Sequence, residues 1–187
     1  MSSFSYDDIE FINDIDVELD GKEFLECRFK NLDLSDKNLR NARFIECSFE
    51  NCNLSNANLT GSSFRDVSFD NCKLVGCNWS ETNSFFDVKF RTCQMNYSVF
   101  QGLSMHSFTF RDCTLKESDF YGSDLRKASF TQSDLSMCFF SQCNLEEADF
   151  RNAVGYVIDF SNNKVKKAKF SMPEVVHLLR QFEIEIE

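Results

Sequence analysis

The sequence predicts an all-β solenoid in which four short extended segments close a square coil of 20 residues. Three observations predict it. Large apolar residues recur every five positions from Leu19 to Phe170, with one single-residue shift near Thr82; of these 31 centres only Gly155 is not large and apolar. The position two before the centre is Cys, Ala or Ser in 20 of the 31 repeats, and all nine cysteines (Cys27, Cys47, Cys52, Cys72, Cys77, Cys93, Cys113, Cys138 and Cys143) fall there. The position two after each centre is rich in turn formers, among them Asn31, Asn41, Asn51, Asn56, Gly61 and Gly76. A period of five fits neither the 3.6 of an amphipathic helix nor the alternation of a half-buried strand. It fits a short extended segment, in which residues two apart share a side, followed by a corner.

Taken in order, residues 1–16 read as an acidic lead-in that either caps the first coil or is partly disordered; residues 1–23 hold eight acids and one lysine. Residues 17–172 are the coils. In the first half the centres repeat Phe-Phe-Leu-Leu. Phe24, Phe44 and Phe64 then share one wall, Phe29, Phe49 and Phe69 the second, and Leu34, Leu54 and Leu74 the third. In the second half Phe and other residues alternate, which sets Phe90, Phe110, Phe130, Phe150 and Phe170 opposite Phe100, Phe120, Phe140 and Phe160. At ~4.8 Å per coil the rod is about 37 Å long and too narrow to enclose a ligand. The shift near Thr82 reads either as a joint between two half-solenoids or as a bulge that re-aims side chains.

Residues 173–187 change period. Ser171 to Glu174 reads as a capping box, and Val175, Leu178, Leu179 and Phe182 form one apolar helical stripe. Ile184 and Ile186 then alternate with glutamates as in a short strand. A solenoid's last coil needs covering. The tail either caps its own coil or packs against a second copy as a two-fold homodimer.

The odd number and shared inward phase of the cysteines argue for reduced, structural thiols, neither a disulfide framework nor a zinc site. Residues 20 apart stack, so surface columns can be read directly. Glu26, Glu46 and Asp66 form one, and Glu50 and Asp70 a parallel one, together an acidic strip. Stacked like charges cost stability. The strip is either a solvated face or an imitation of DNA phosphates. Asn31, Asn51 and Asn71 form an amide column, and Arg91, Arg111 and Arg151 a basic one.

A net charge of −10 disfavours direct nucleic-acid binding. No apolar run is long enough to cross a membrane, and the first residues do not read as a signal peptide, so a cytoplasmic protein is expected. His106 and His177 stand far apart in sequence, and no nucleophile motif, phosphate loop or metal spacing accompanies them. The expectation is a non-catalytic protein without cofactor or metal.

The motifs Ala-Asn-Leu-Thr-Gly (57–61), Ser-Asp-Leu-Arg-Lys (123–127) and Ala-Asp-Phe-Arg-Asn (148–152) carry a further resemblance. With them the chain resembles the pentapeptide-repeat proteins, whose fold is a right-handed quadrilateral parallel β-helix. The run from Gly155 through Val175, with the Leu178-Leu179 helix and Ile-rich end, is similar to the closing coils and dimerisation tail of the Qnr, MfpA and albicidin-immunity group. That resemblance implies a dimeric DNA mimic that binds DNA gyrase, a type II topoisomerase, and protects it from a poison. The chain lacks the long projecting loops of the Qnr subgroup. The alternative is a scaffolding solenoid for another protein partner.

Overall fold

Short extended segments pair from one coil to the next because each presents backbone N–H and C=O groups only up and down the rod. The computed structural model describes residues 5–182, with side chains described for 6–179. On the first wall, β1 (Ser5–Asp7), β3 (Glu23–Leu25), β5 (Arg43–Ile45), β7 (Ser63–Arg65) and β9 (Ser84–Phe86) form a five-stranded sheet. On the second, β2 (Glu10–Ile12), β4 (Arg28–Lys30), β6 (Ser48–Glu50), β8 (Ser68–Asp70), β10 (Lys89–Arg91) and β11 (Thr109–Arg111) form a six-stranded one. Every pairing in both sheets is parallel. The third and fourth walls are held by single bridges such as Asp33↔Asn53 and Asn38↔Asn58. This is a right-handed quadrilateral parallel β-helix.

The corners explain the turn formers. Residues two after a centre take φ near +55°, as at Asn31, Asn51 and Asn71 (54°, 55° and 53°). Asn tolerates this left-handed region better than most residues. The same Asn side chains stack in the expected ladder, Asn51 donating to Asn31 at 3.2 Å and Asn71 to Asn51 at 2.8 Å. Gly61 takes φ +70° without strain, and a Cβ there would displace the Asn41 side-chain amide, whose Oδ1 would lie 2.5 Å away.

The interior is built from ring columns. On the second wall nine rings stack from Phe11 through Phe90 to Phe170, with centroids 4.5 to 5.2 Å apart. A second column, Tyr6–Phe24–Phe44–Phe64, rises on the first wall and meets it edge-on. Below the phase break the partner column moves to the fourth wall as Trp79–Phe100–Phe120–Phe140, opposite the second wall. The extra residue is absorbed by a 3₁₀ turn, Trp79–Glu81, capped by the Asn78 side chain. The shift is therefore where the aromatic wall changes sides.

The cysteines are all free and buried. Their position has a second requirement besides size. Cys77 Sγ donates to Leu54 O at 3.2 Å, and Cys138 Sγ to Leu115 O at 2.9 Å. Serines at the same position do likewise: Ser118 Oγ to Met95 O at 2.9 Å and Ser123 Oγ to Phe100 O at 2.6 Å. A small side chain with one donor closes the ladder to the coil above. Burial pushes the thiols of Cys47, Cys77 and Cys138 up to about 12.

Three expectations need correction. The lead-in is not merely a cap: β1 and β2 pair with β3 and β4, and Tyr6 and Phe11 stack on Phe24 and Phe29. Their offset to the next coil is 18 residues, two short of the repeat, which hid them from the periodicity. The Ser171 hydroxyl does not cap the C-terminal 3₁₀ helix (Glu174–Phe182) but accepts from the Asn152 N–H at 2.8 Å. Between Arg111 and Arg151 the basic column is interrupted by Thr131. Gly155, at φ +72°, is a built corner: a Cβ there would lie 2.9 Å from Ser136 Cα, and buried Tyr156 fills the core after it.

Candidate partner-binding surface

The corner between the first and second walls places Glu26, Glu46 and Asp66 in one exposed column, as their spacing predicts. The column is longer than three. Asp8 joins above and Asp87 below, each coil tied to the next by Asp8 N to Leu25 O, Glu26 N to Ile45 O, Glu46 N to Arg65 O and Asp66 N to Phe86 O, 2.9 to 3.1 Å. All five acids sit at φ 47° to 56°. A left-handed conformation costs a non-glycine residue about 1 kcal/mol, and the adjoining corner uses Asn for the same task. Acids here are thus costly twice, in backbone conformation and in repulsion.

Cations reach the ends of the column more than its middle. Arg28 lies 3.8 Å from Asp8, Arg65 4.0 Å from Asp66, and Lys89 3.7 Å from Asp87. Among the described residues no cation stands within 4.0 Å of Glu26 or Glu46. A shallow groove of about 280 Å³, lined by Glu46, Asp66, Asp87 and Lys89 among others, runs alongside. Below the break the same corner continues as Ser107, Lys127, Glu147 and Lys167, so the acidic run ends there.

Glu50 and Asp70 pair in register on the second wall, but Lys30 and Arg91 bracket them in the same column. Lys30 is 3.7 Å from Glu50, and Arg91 is 4.0 Å from Asp70. This column is a mixed-charge ladder, not an open acidic face.

Much of the remaining negative charge is committed to turns. The carboxylates of Asp33, Asp119, Asp134 and Asp159 accept the backbone N–H two residues on. Asp124 and Asp149 do the same and chelate Arg126 and Arg151, whose hydrogen bonds hold both carboxyls below their usual range. This is the physical content of the Asp/Asn-Leu motif: the acid before each centre ties down the following turn.

At the C-terminus the expected dimer stripe is divided. Leu178 is 3% exposed, and it and Val175 pack on the chain's own core; Leu179 is exposed. The Phe182 side chain and residues Ile184 and Ile186 lie outside the described residues. His106 Nδ1 lies 3.0 Å from Ser107 Oγ, and His177 Nδ1 3.1 Å from Glu174 Oε2, at separate places on the surface. Among the described residues no group of three His, Cys, Asp or Glu side chains is placed to hold a metal, and no helix is long and apolar enough to cross a membrane.

Two comparisons match this architecture. The family model for the pentapeptide repeat region matches residues 22–100, 46–120 and 103–178. Among solved structures, trypsin-treated QnrB1, a plasmid-mediated fluoroquinolone resistance protein, is 14% identical with a TM-score of 0.58, covering 99% of this chain and 98% of its own. HetL, a pentapeptide repeat protein involved in heterocyst differentiation regulation from the cyanobacterium Nostoc sp. strain PCC 7120, is 17% identical with a TM-score of 0.45, covering 92% and 88%. Comparison with curated proteins finds no sequence match.

Proposed function

This chain belongs to the pentapeptide-repeat family, and we propose that it is a non-catalytic DNA mimic that binds DNA gyrase or a related type II topoisomerase and protects it from a poison. The observation that carries this reading is the exposed Asp8–Glu26–Glu46–Asp66–Asp87 column. It repeats a negative charge every ~4.8 Å, against one phosphate per ~3.4 Å along a DNA strand. A protein that grips DNA presents a basic channel, and such a row competes for it electrostatically. Glu50 and Asp70, paired with Lys30 and Arg91 in the neighbouring ladder, contribute less to that competition than the open column. The choice of gyrase follows from the resemblance of the closing coils and tail to the Qnr, MfpA and albicidin-immunity group. In this reading the protein works in the cytoplasm as a homodimer joined through residues 173–187, with Leu179, Phe182, Ile184 and Ile186 at the junction.

The test is a supercoiling assay with purified gyrase, relaxed plasmid, and fluoroquinolone or protein poisons added singly. The reading expects the protein to restore supercoiling against at least one poison, or to inhibit at high concentration by competing with DNA. No effect on supercoiling or cleavage across several poisons would sink it. A scaffolding role is the second reading, favoured by exposed Met137 and Phe139 far from the acidic column. A pull-down that recovers another partner and no gyrase would select it.

A further inference from the structure

The corner between the third and fourth walls carries side chains that a solvated surface does not need. Tyr97 and Met137 recur there at an interval of 40 residues and are 56% and 77% exposed, and Val157, just past the Gly155 corner, is 74% exposed. Phe139, two residues beyond Met137, is 53% exposed and stacks on Tyr121 at 6.3 Å. Val154 extends the patch on the third wall. Exposed apolar patches on monomers mark interaction sites, and the surface around Met137 and Phe139 is a candidate for one. It runs into a half-open groove of about 700 Å³ between residues 155–159 and the helix residues His177 and Leu178.

The rim is acidic. Glu117 shares the corner column with Met137, Asp119 stands beside Phe139 in the ladder, and Asp159 lines the groove. The nearby cation, Lys116, is held by Asp134 at 3.0 Å. A second copy would bring acid against acid, and an anionic membrane surface would be repelled likewise. We propose that this corner is a docking surface for a basic amphipathic helix of another protein, with apolar side chains on Met137, Phe139 and Val157 and Lys or Arg on the acidic rim. In a square coil this corner lies diagonally opposite the acidic column, so the two surfaces are separable by mutation and face different partner elements.

The probe is a fluorescein-labelled Leu/Lys amphipathic helix, followed by anisotropy, with the same composition shuffled and a Leu/Glu counterpart as controls. Wild type and the Glu26→Gln/Glu46→Gln variant bind the Leu/Lys helix equally; Met137→Ser/Phe139→Ser binds at least about tenfold more weakly; neither control binds. All four positions are exposed, so folding is retained. Binding by the Met137→Ser/Phe139→Ser variant at wild-type strength, or its loss only in the glutamine variant, overturns the proposal. Sedimentation showing a dimer that Met137→Ser/Phe139→Ser abolishes overturns it in favour of a second copy.

Discussion

Replacing Phe110 by alanine tests the packing account at its most constrained point. The ring is fully buried, stacked between Phe90 at 5.2 Å and Phe130 at 5.0 Å. The edges of Phe100 and Phe120 meet it at 5.7 and 6.0 Å, with interplanar angles of 82° and 86°. A buried Phe→Ala change costs about 3–5 kcal/mol, depending on how far the site collapses. Here collapse is opposed, because the wall is pinned by the bond from Phe110 N to Ser129 O at 2.7 Å. The upper half of that range, about 4–5 kcal/mol, is therefore expected. Phe110→Leu keeps most of the volume and loses chiefly the ring contacts, about 1–2 kcal/mol. The assay is urea unfolding followed by far-UV circular dichroism. With a slope near 3 kcal/mol/M the alanine variant loses more than about 1 M in midpoint. A loss below about 1 kcal/mol for Phe110→Ala would refute the interlocked-column account.

Other consequences are equally open to measurement. Cys138→Ser keeps the donor to Leu115 O and changes stability by less than about 0.5 kcal/mol, whereas Cys138→Val removes it, leaves that carbonyl only its bond from the Ser118 N–H, and costs about 1 kcal/mol; urea midpoints of the pair decide it. Burial of all nine thiols, with those of Cys47, Cys77 and Cys138 also pushed up, predicts that an aromatic disulfide reagent at pH 8 reacts with few or none of the cysteines until the chain is unfolded; rapid native reaction would contradict the inward phase. Asp124 and Asp149 have depressed carboxyl pKa in the folded chain, so their contribution is complete above the unfolded value near ~4 and is lost as pH falls below it. These pairs are largely solvated, so Arg126→Met/Arg151→Met lowers neutral-pH stability only slightly and flattens the acid limb of a stability–pH curve measured by urea unfolding.

Much of the rod was legible because a five-residue period leaves little freedom: centres, small inward positions and corners are each marked by residue type. The wall assignment, with Phe100 to Phe140 opposite Phe110 to Phe150, follows from counting in twenties. The start of the rod did not, because Tyr6 and Phe11 join the stack with a short coil whose length no local signal announces. The acidic column was visible at Glu26, Glu46 and Asp66. Asp87 required carrying the count across the extra residue at Trp79–Glu81. The neutralisation of Glu50 and Asp70 was available by reading one coil further each way, to Lys30 and Arg91. The partners of Ser171 and Leu178 depend on how the chain folds back at the rod's end, which periodicity does not encode.

The account's central claim is that the outward carboxylates of one corner, and not the core or the charge total, make the protein an imitation of DNA. Competition between the protein and a fluorescent DNA duplex for gyrase tests it most directly, with Glu26→Lys/Glu46→Lys compared to a double reversal made at the opposite corner, Asp36→Lys/Glu117→Lys. The account predicts that wild type and the Asp36/Glu117 variant displace DNA alike, and that reversal in the column weakens displacement at least about tenfold. Equal displacement by all three proteins would contradict it.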